Sequence, residues 1–119
     1  LEAAIRSLFG QVAPAGRRPE IVTSADSRIG ASLSLIEGAM DQTGPFILGV
    51  KPGMADCGLA ACLLWLDAIT PPLALTARLG PRMIRTRAAM AEDPRLMTEL
   101  EAYRPLVAAW VQRTAASGT

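Results

Sequence analysis

A chain of 119 residues is one domain long, and its twelve basic and eleven acidic side chains leave a net charge of +1 with no electrostatic footprint for nucleic acid or anionic lipid. Histidine is absent. That excludes Ser-His-Asp and Cys-His catalysis and every His-ligated metal site, while a half-hydrophobic, 19% charged composition excludes disorder.

Size scaling puts the folded surface near ~6,200 Å² against ~18,000 Å² unfolded, enough burial for a core without staples. The two cysteines, Cys57 and Cys62, make no disulfide framework and read as small buried hydrophobes. The chain starts Leu1-Glu2, without Met and inside a helical pattern, so it is expected to be a piece of a longer protein. No signal peptide or transmembrane segment is apparent.

The periodicity is helical throughout. Leu1, Ala4, Ile5, Leu8 and Phe9 make one apolar face, which Gly10 and the stretch Pro14 to Pro19 bring to an end. Val22, Ala25, Ile29, Leu33, Ile36 and Met40 follow at steps of three and four, with Pro19 in the first turn and Gly44-Pro45 beyond the end.

Asp56 is the one charge between Lys51 and Asp67. A helix from about Met54 to Asp67 is therefore apolar on every face and is predicted to be the central helix, packed all round. Thr70-Pro71 reads as a cap with a first-turn proline, Gly80-Pro81 as the matching stop, and Asp93-Pro94 as a further start, running to about Ala102. Pro105 opens a last helix carrying Leu106, Val107, Trp110 and Val111; the tail from Thr114 to Thr119 is small, polar and expected to fray. There is no repeat or linker, so the expectation is one all-α domain, residues 1–119, a compact bundle of about six helices.

Pro45-Phe46-Ile47-Leu48-Gly49, then Pro52-Gly53-Met54-Ala55-Asp56, is the one distinctive constellation. A buried helix must satisfy its first free N–H groups away from water. Gly53 permits the turn, and the Asp56 carboxylate, three residues on, can accept from the Gly53 N–H at the positive end of the helix dipole. A catalytic acid is the competing reading of Asp56; no second acid, base or nucleophile lies near it in sequence, and capping already accounts for it.

These residues resemble the carboxy-terminal helical domain of the glutathione S-transferase superfamily, where a Pro-Phe/Tyr-x-x-Gly turn precedes a Ser/Thr-x-Ala-Asp capping box opening the central helix. Tyr103-Arg104-Pro105-Leu106-Val107-Ala108-Ala109-Trp110 is similar to the family's Tyr-Pro-x-Leu-x-x-Trp stretch, with one extra residue between Tyr and Pro. The likeness runs from about Pro19 to Arg113. Gly53 departs from it, standing where the family has Ser or Thr, and Val50-Lys51 stands where an acid often follows the glycine.

The resemblance implies a thioredoxin-like domain, absent from this chain, that holds glutathione as co-substrate and supplies the catalytic group. No catalytic residue is therefore carried over, and no cofactor or metal is expected in this chain. It also implies that the first helix faces that domain and lines the cleft for a hydrophobic electrophile, which makes Arg6 and Phe9 the candidate substrate-binding residues. A homodimer in the cytoplasm is implied, without nucleic acid or membrane as partner. The alternative function is a non-catalytic protein-association module with the same helical fold.

Three other features have plainer readings. Arg78, Arg82, Arg85 and Arg87 could receive an acidic ligand, but a solvated helix face balanced by Glu92, Asp93, Glu99 and Glu101 is the favoured reading. Trp65 and Trp110 could line an apolar ligand pocket, but at helical spacing with Leu, Ile and Val core is the favoured reading. Cys57 and Cys62 have no neighbouring cation or base to favour thiolate.

Overall fold

The computed structural model describes residues 1–40 and 43–117. Its elements are α1 (Glu2–Arg6), a 3-10 turn (Phe9–Gln11), α2 (Pro19–Ala39), α3 (Met54–Leu73), α4 (Pro81–Ala91) and α5 (Pro94–Ala116), and there is no β-strand among the described residues. The fold is all-α, measuring 47 × 29 × 18 Å. The expected end of the tail, Gly118-Thr119, lies outside the described residues; Thr114 to Ala116 are helical rather than frayed.

The stripe read on α2 is the one it buries. Ala25, Ile29 and Leu33 are buried, Val22 and Ile36 half-buried, and Pro19 holds the first turn. They join Ile5, Leu8 and Val12 from the amino-terminal segment and Leu63, Leu66 and Ile69 from α3 in the main core.

α3 begins where expected and continues past Asp67 to Leu73, with Pro71 and Pro72 in its last turn. The Thr70-Pro71 pair is thus not a helix start: Thr70 Oγ1 donates back to the Leu66 carbonyl (2.6 Å). The helix closes on Ala74 in the left-handed conformation (φ 51°), with Ala74 N–H donating to Pro71 O (3.4 Å) and Leu75 N–H to Thr70 O (3.2 Å). Residues 75–80 are an extended strap, and Gly80-Pro81 starts α4 instead of stopping a helix.

The strap and α4 are held from α2. The two oxygens of Asp26 accept from the Thr76 N–H and hydroxyl and from the Ala77 N–H, all within 2.9 Å. Burial works against the charge on Asp26, but the Thr76 hydroxyl, the two backbone bonds and nearby Arg78 outweigh it and hold the carboxyl below its ordinary value. Three helical turns along α2, Glu37 accepts from the Arg82 and Met83 N–H groups at the start of α4.

The four arginines lie on the solvated surface as expected, Arg78, Arg85 and Arg87 exposed and Arg82 half-buried, and from there they also tie loops and helices together. Arg82 donates to Glu37 O, Arg85 to Gly44 O and Arg78 to the Leu75 and Ala77 carbonyls, while Arg87 pairs with Asp67 at 3.2 Å.

α5 starts where Asp93-Pro94 places it, with the Asp93 carboxylate accepting from Arg95 and Leu96 N–H. Pro105 then sits inside this 23-residue helix rather than opening another. The carbonyl it leaves without a donor, Glu101 O, lies in an exposed stretch where water can serve it. Leu106, expected on the apolar face, is 66% exposed; Val107 and Val111 carry the burial.

Candidate functional site

The Pro45–Gly49 turn explains its own composition. Phe46 N–H donates to Gly49 O (3.0 Å) and Gly49 N–H to Phe46 O (3.3 Å), and Gly49 has φ +136°. A Cβ on Gly44 would fall into the Gly49–Val50 backbone, so the loop closes on a bare glycine. The Thr86 hydroxyl, fully buried on α4, donates to Pro45 O.

The turn feeds the start of α3. Asp56, 1% exposed, accepts from Gly53 N–H with one oxygen (2.7 Å) and from Ile47 N–H with the other (2.9 Å). Glycine has no side chain to return a bond, so the carboxylate alone ties the loop to the helix. Both its oxygens accept from backbone donors, an arrangement that serves the fold.

α3 is not packed all round. α1, α4 and α5 lie against it, but Met54, Cys57, Gly58 and Ala61 are exposed, with Cys62 and Trp65 half-buried beside them. Positions at steps of three and four put these on one helical face. Cys57 is therefore exposed and not the buried residue expected, while Cys62, half-buried, packs against the main core at the border of this face. Burial, with Glu2 nearby, pushes the Cys62 thiol up, which disfavours thiolate. Length and apolar composition alone would let α3 cross a bilayer, but the same properties belong to the core helix of a helical domain, which is the position α3 holds.

Hollows run along this face. One of about 390 Å³ lies between α1 and α3, lined by Arg6, Phe9, Gly58, Ala61 and Trp65, with Tyr103 reaching over from α5. A more open groove of about 840 Å³ continues past Ala61 and Tyr103 between α3 and α5, towards Met54, Cys57 and Leu96. The structure thus brings Arg6 and Phe9 to one cleft.

Aromatic packing fixes its inner wall. The Phe9 ring lies 4.7 Å from that of Trp65 and 5.8 Å from that of Trp110, and the two indoles are 5.7 Å apart, edge to face. The Trp65 Nε1–H donates to the Tyr103 hydroxyl oxygen at 3.0 Å. Arg17 anchors the segment behind Phe9 to the end of α3, donating to the carbonyls of Gln11, Val12 and Pro72. Arg6 is exposed and pairs with Glu2 at 3.5 Å, a contact of little energetic weight. Trp65 is both of the things its sequence allows, packed against the core and lining the cleft, whereas the place of Tyr103 in the cleft is not read from sequence. Among the described residues no group of three or more His, Cys, Asp or Glu side chains is placed to hold a metal ion.

The sequence from 19 to 113 matches the model of the glutathione S-transferase C-terminal domain. The chain belongs to that family. Searches of the curated proteins and of the solved structures gave no significant match. In this glutathione S-transferase C-terminal domain the matched span takes in α2, α3, α4 and nearly all of α5, including the Asp56 loop and the Tyr103–Trp110 stretch. α1 and the Phe9 turn lie ahead of the matched span, so one wall of the cleft is built by residues outside it.

Proposed function

We propose that this domain is the helical half of a glutathione S-transferase-like enzyme. Its cleft between α1 and α3 receives a hydrophobic electrophile, and a thioredoxin-like domain presents glutathione to it. In the transfer the glutathione thiolate sulfur bonds to the electrophilic carbon and, with an aryl halide, the halide leaves with its electron pair. Phe9 forms the apolar wall and Arg6 the charged mouth, while Gly53 and Asp56 hold the architecture. The protein works as a cytoplasmic homodimer to which this domain contributes part of the interface.

The observation that carries this reading is the uncovered apolar face of α3, next to an aromatic cluster, in a chain of this family. An apolar face of that extent needs a partner or a ligand. The test is retention of the native protein on immobilised glutathione together with conjugation of an aryl halide. Phe9→Ala should raise the KM for the halide several-fold and leave the KM for glutathione unchanged. An unchanged halide KM would remove Phe9 from the site.

The same uncovered face also suits a non-catalytic association module. Native mass separates the two readings: a polypeptide of 12.5 kDa favours association, and a two-domain polypeptide favours transfer.

A further inference from the structure

We propose that a second copy of this chain docks on the outer face of α5, the two helices lying antiparallel about a two-fold axis at Leu106. This rests on the reading of the native protein as a homodimer and assigns the helical domain's share of that interface to its last helix.

Val107 and Val111 turn one side of α5 into the core. The side turned away from them carries Ala102, Pro105 and Leu106, all exposed, with Ala109 half-buried. Residues 102 and 109, like 99, 106 and 113, are seven apart, two helical turns, so they run as neighbouring lines along one face. Leu106, 66% exposed, stands at its centre. Ala102 and Ala109 on either side of it let a second helix approach closely.

The charges on this face set both the occupant and its direction. Glu99 lies seven residues before Leu106, and Arg113 seven residues after it. Both are exposed, and among the described residues neither has a hydrogen bond or an ion pair. Neighbouring charges are spent within the chain, Arg95 on Asp93 and Arg104 on Glu101. A two-fold axis through Leu106 brings Glu99 of each copy level with Arg113 of the other and sets Leu106 on Leu106. A parallel pair would set Glu99 on Glu99 and Arg113 on Arg113, so like charges oppose it.

Pro105 adds an acceptor to the same surface. It has no N–H, which leaves Glu101 O without its helical donor. In the antiparallel pair the exposed Gln112 of the second copy comes within one turn of Glu101, and its side-chain amide can donate to that carbonyl. A helix pair about 30 Å long is at the small end of stable interfaces, so the association should be micromolar and sensitive to salt.

Sedimentation equilibrium of the native protein tests this. Leu106→Glu, at an exposed position that tolerates a charge, should raise the dimer dissociation constant at least about tenfold while the helical spectrum and thermal midpoint are kept. Glu99→Arg and Arg113→Glu should each weaken the dimer several-fold, because each sets like charges against one another twice. The double variant should restore the native constant, since exchanging both charges rebuilds both pairs.

A dimer that Leu106→Glu and the single reversals leave undisturbed would overturn this face and keep the homodimer. If the double variant is no tighter than the single ones, the antiparallel pairing is overturned. A native protein that stays monomeric at about 100 μM would remove the homodimer and this face with it, leaving α5 to a different protein. None of these measurements uses glutathione, so the transfer chemistry stands or falls separately.

Discussion

Glu37 and Arg82 cap each other's helices. The Glu37 carboxylate accepts from the first N–H groups of α4, while the Arg82 guanidinium donates to Glu37 O, a carbonyl in the last turn of α2 (3.2 Å). Neither helix has a side-chain cap of its own at that end. A Cβ on Gly80 would lie 2.6–2.9 Å from the Glu37 side chain, so the glycine makes room for the exchange. Glu37→Ala should cost about 1–2 kcal/mol and Arg82→Ala less. A double-mutant cycle by urea unfolding should show the two losses to be non-additive; full additivity would mean that the caps act independently.

Asp56→Ala leaves two backbone donors, those of Ile47 and Gly53, without their acceptor in a buried position. The expected loss is about 2 kcal/mol or more, seen as a clear fall in thermal midpoint. An unchanged melt would defeat the capping account. Gly44→Ala tests the same loop from the other side and should be more severe, since the added carbon meets backbone with no side chain able to yield.

Ala74 occupies the left-handed position at the end of α3, where a side chain is strained and glycine is at ease. Ala74→Gly should therefore stabilise the fold, by about 0.5–1 kcal/mol after the larger entropy of the unfolded glycine is deducted. Urea unfolding measures this directly, and a destabilised variant would show the turn to be unstrained.

Asp26 makes stability depend on acid. Its folded carboxyl titrates below the ordinary 3.8, so its contribution is complete above that value and is lost as pH falls through the depressed one. Asp26→Ala should be less stable than the parent at neutral pH, and the gap should close below about pH 3.8. A gap that stays constant into acid would deny the carboxylate this role.

How much of this was legible follows from where the determinants lie. α2 was readable because one stripe, Ala25 to Leu33, both spaces correctly and buries. The start of α3 and the Asp93 cap were readable because their donors and acceptors are neighbours in sequence. Proline was ambiguous. Thr70-Pro71 and Gly80-Pro81 are similar dipeptides, yet one closes a helix and the other opens one. The difference lies in Asp26 and Glu37, which capture residues about fifty and forty-five positions away. The cleft was half legible: Arg6 and Phe9 came from the family resemblance. The exposed face of α3 did not, because an apolar pattern on all sides does not say which side is left uncovered.

The central claim, that this domain holds the electrophile for glutathione transfer, is tested most directly by conjugation of glutathione to 1-chloro-2,4-dinitrobenzene by the native protein, with and without Gly58→Leu. The account predicts glutathione-dependent conjugation that Gly58→Leu suppresses by raising the KM for the halide while glutathione retention persists. A native protein with a folded thioredoxin-like domain that neither binds glutathione nor conjugates the halide would contradict it.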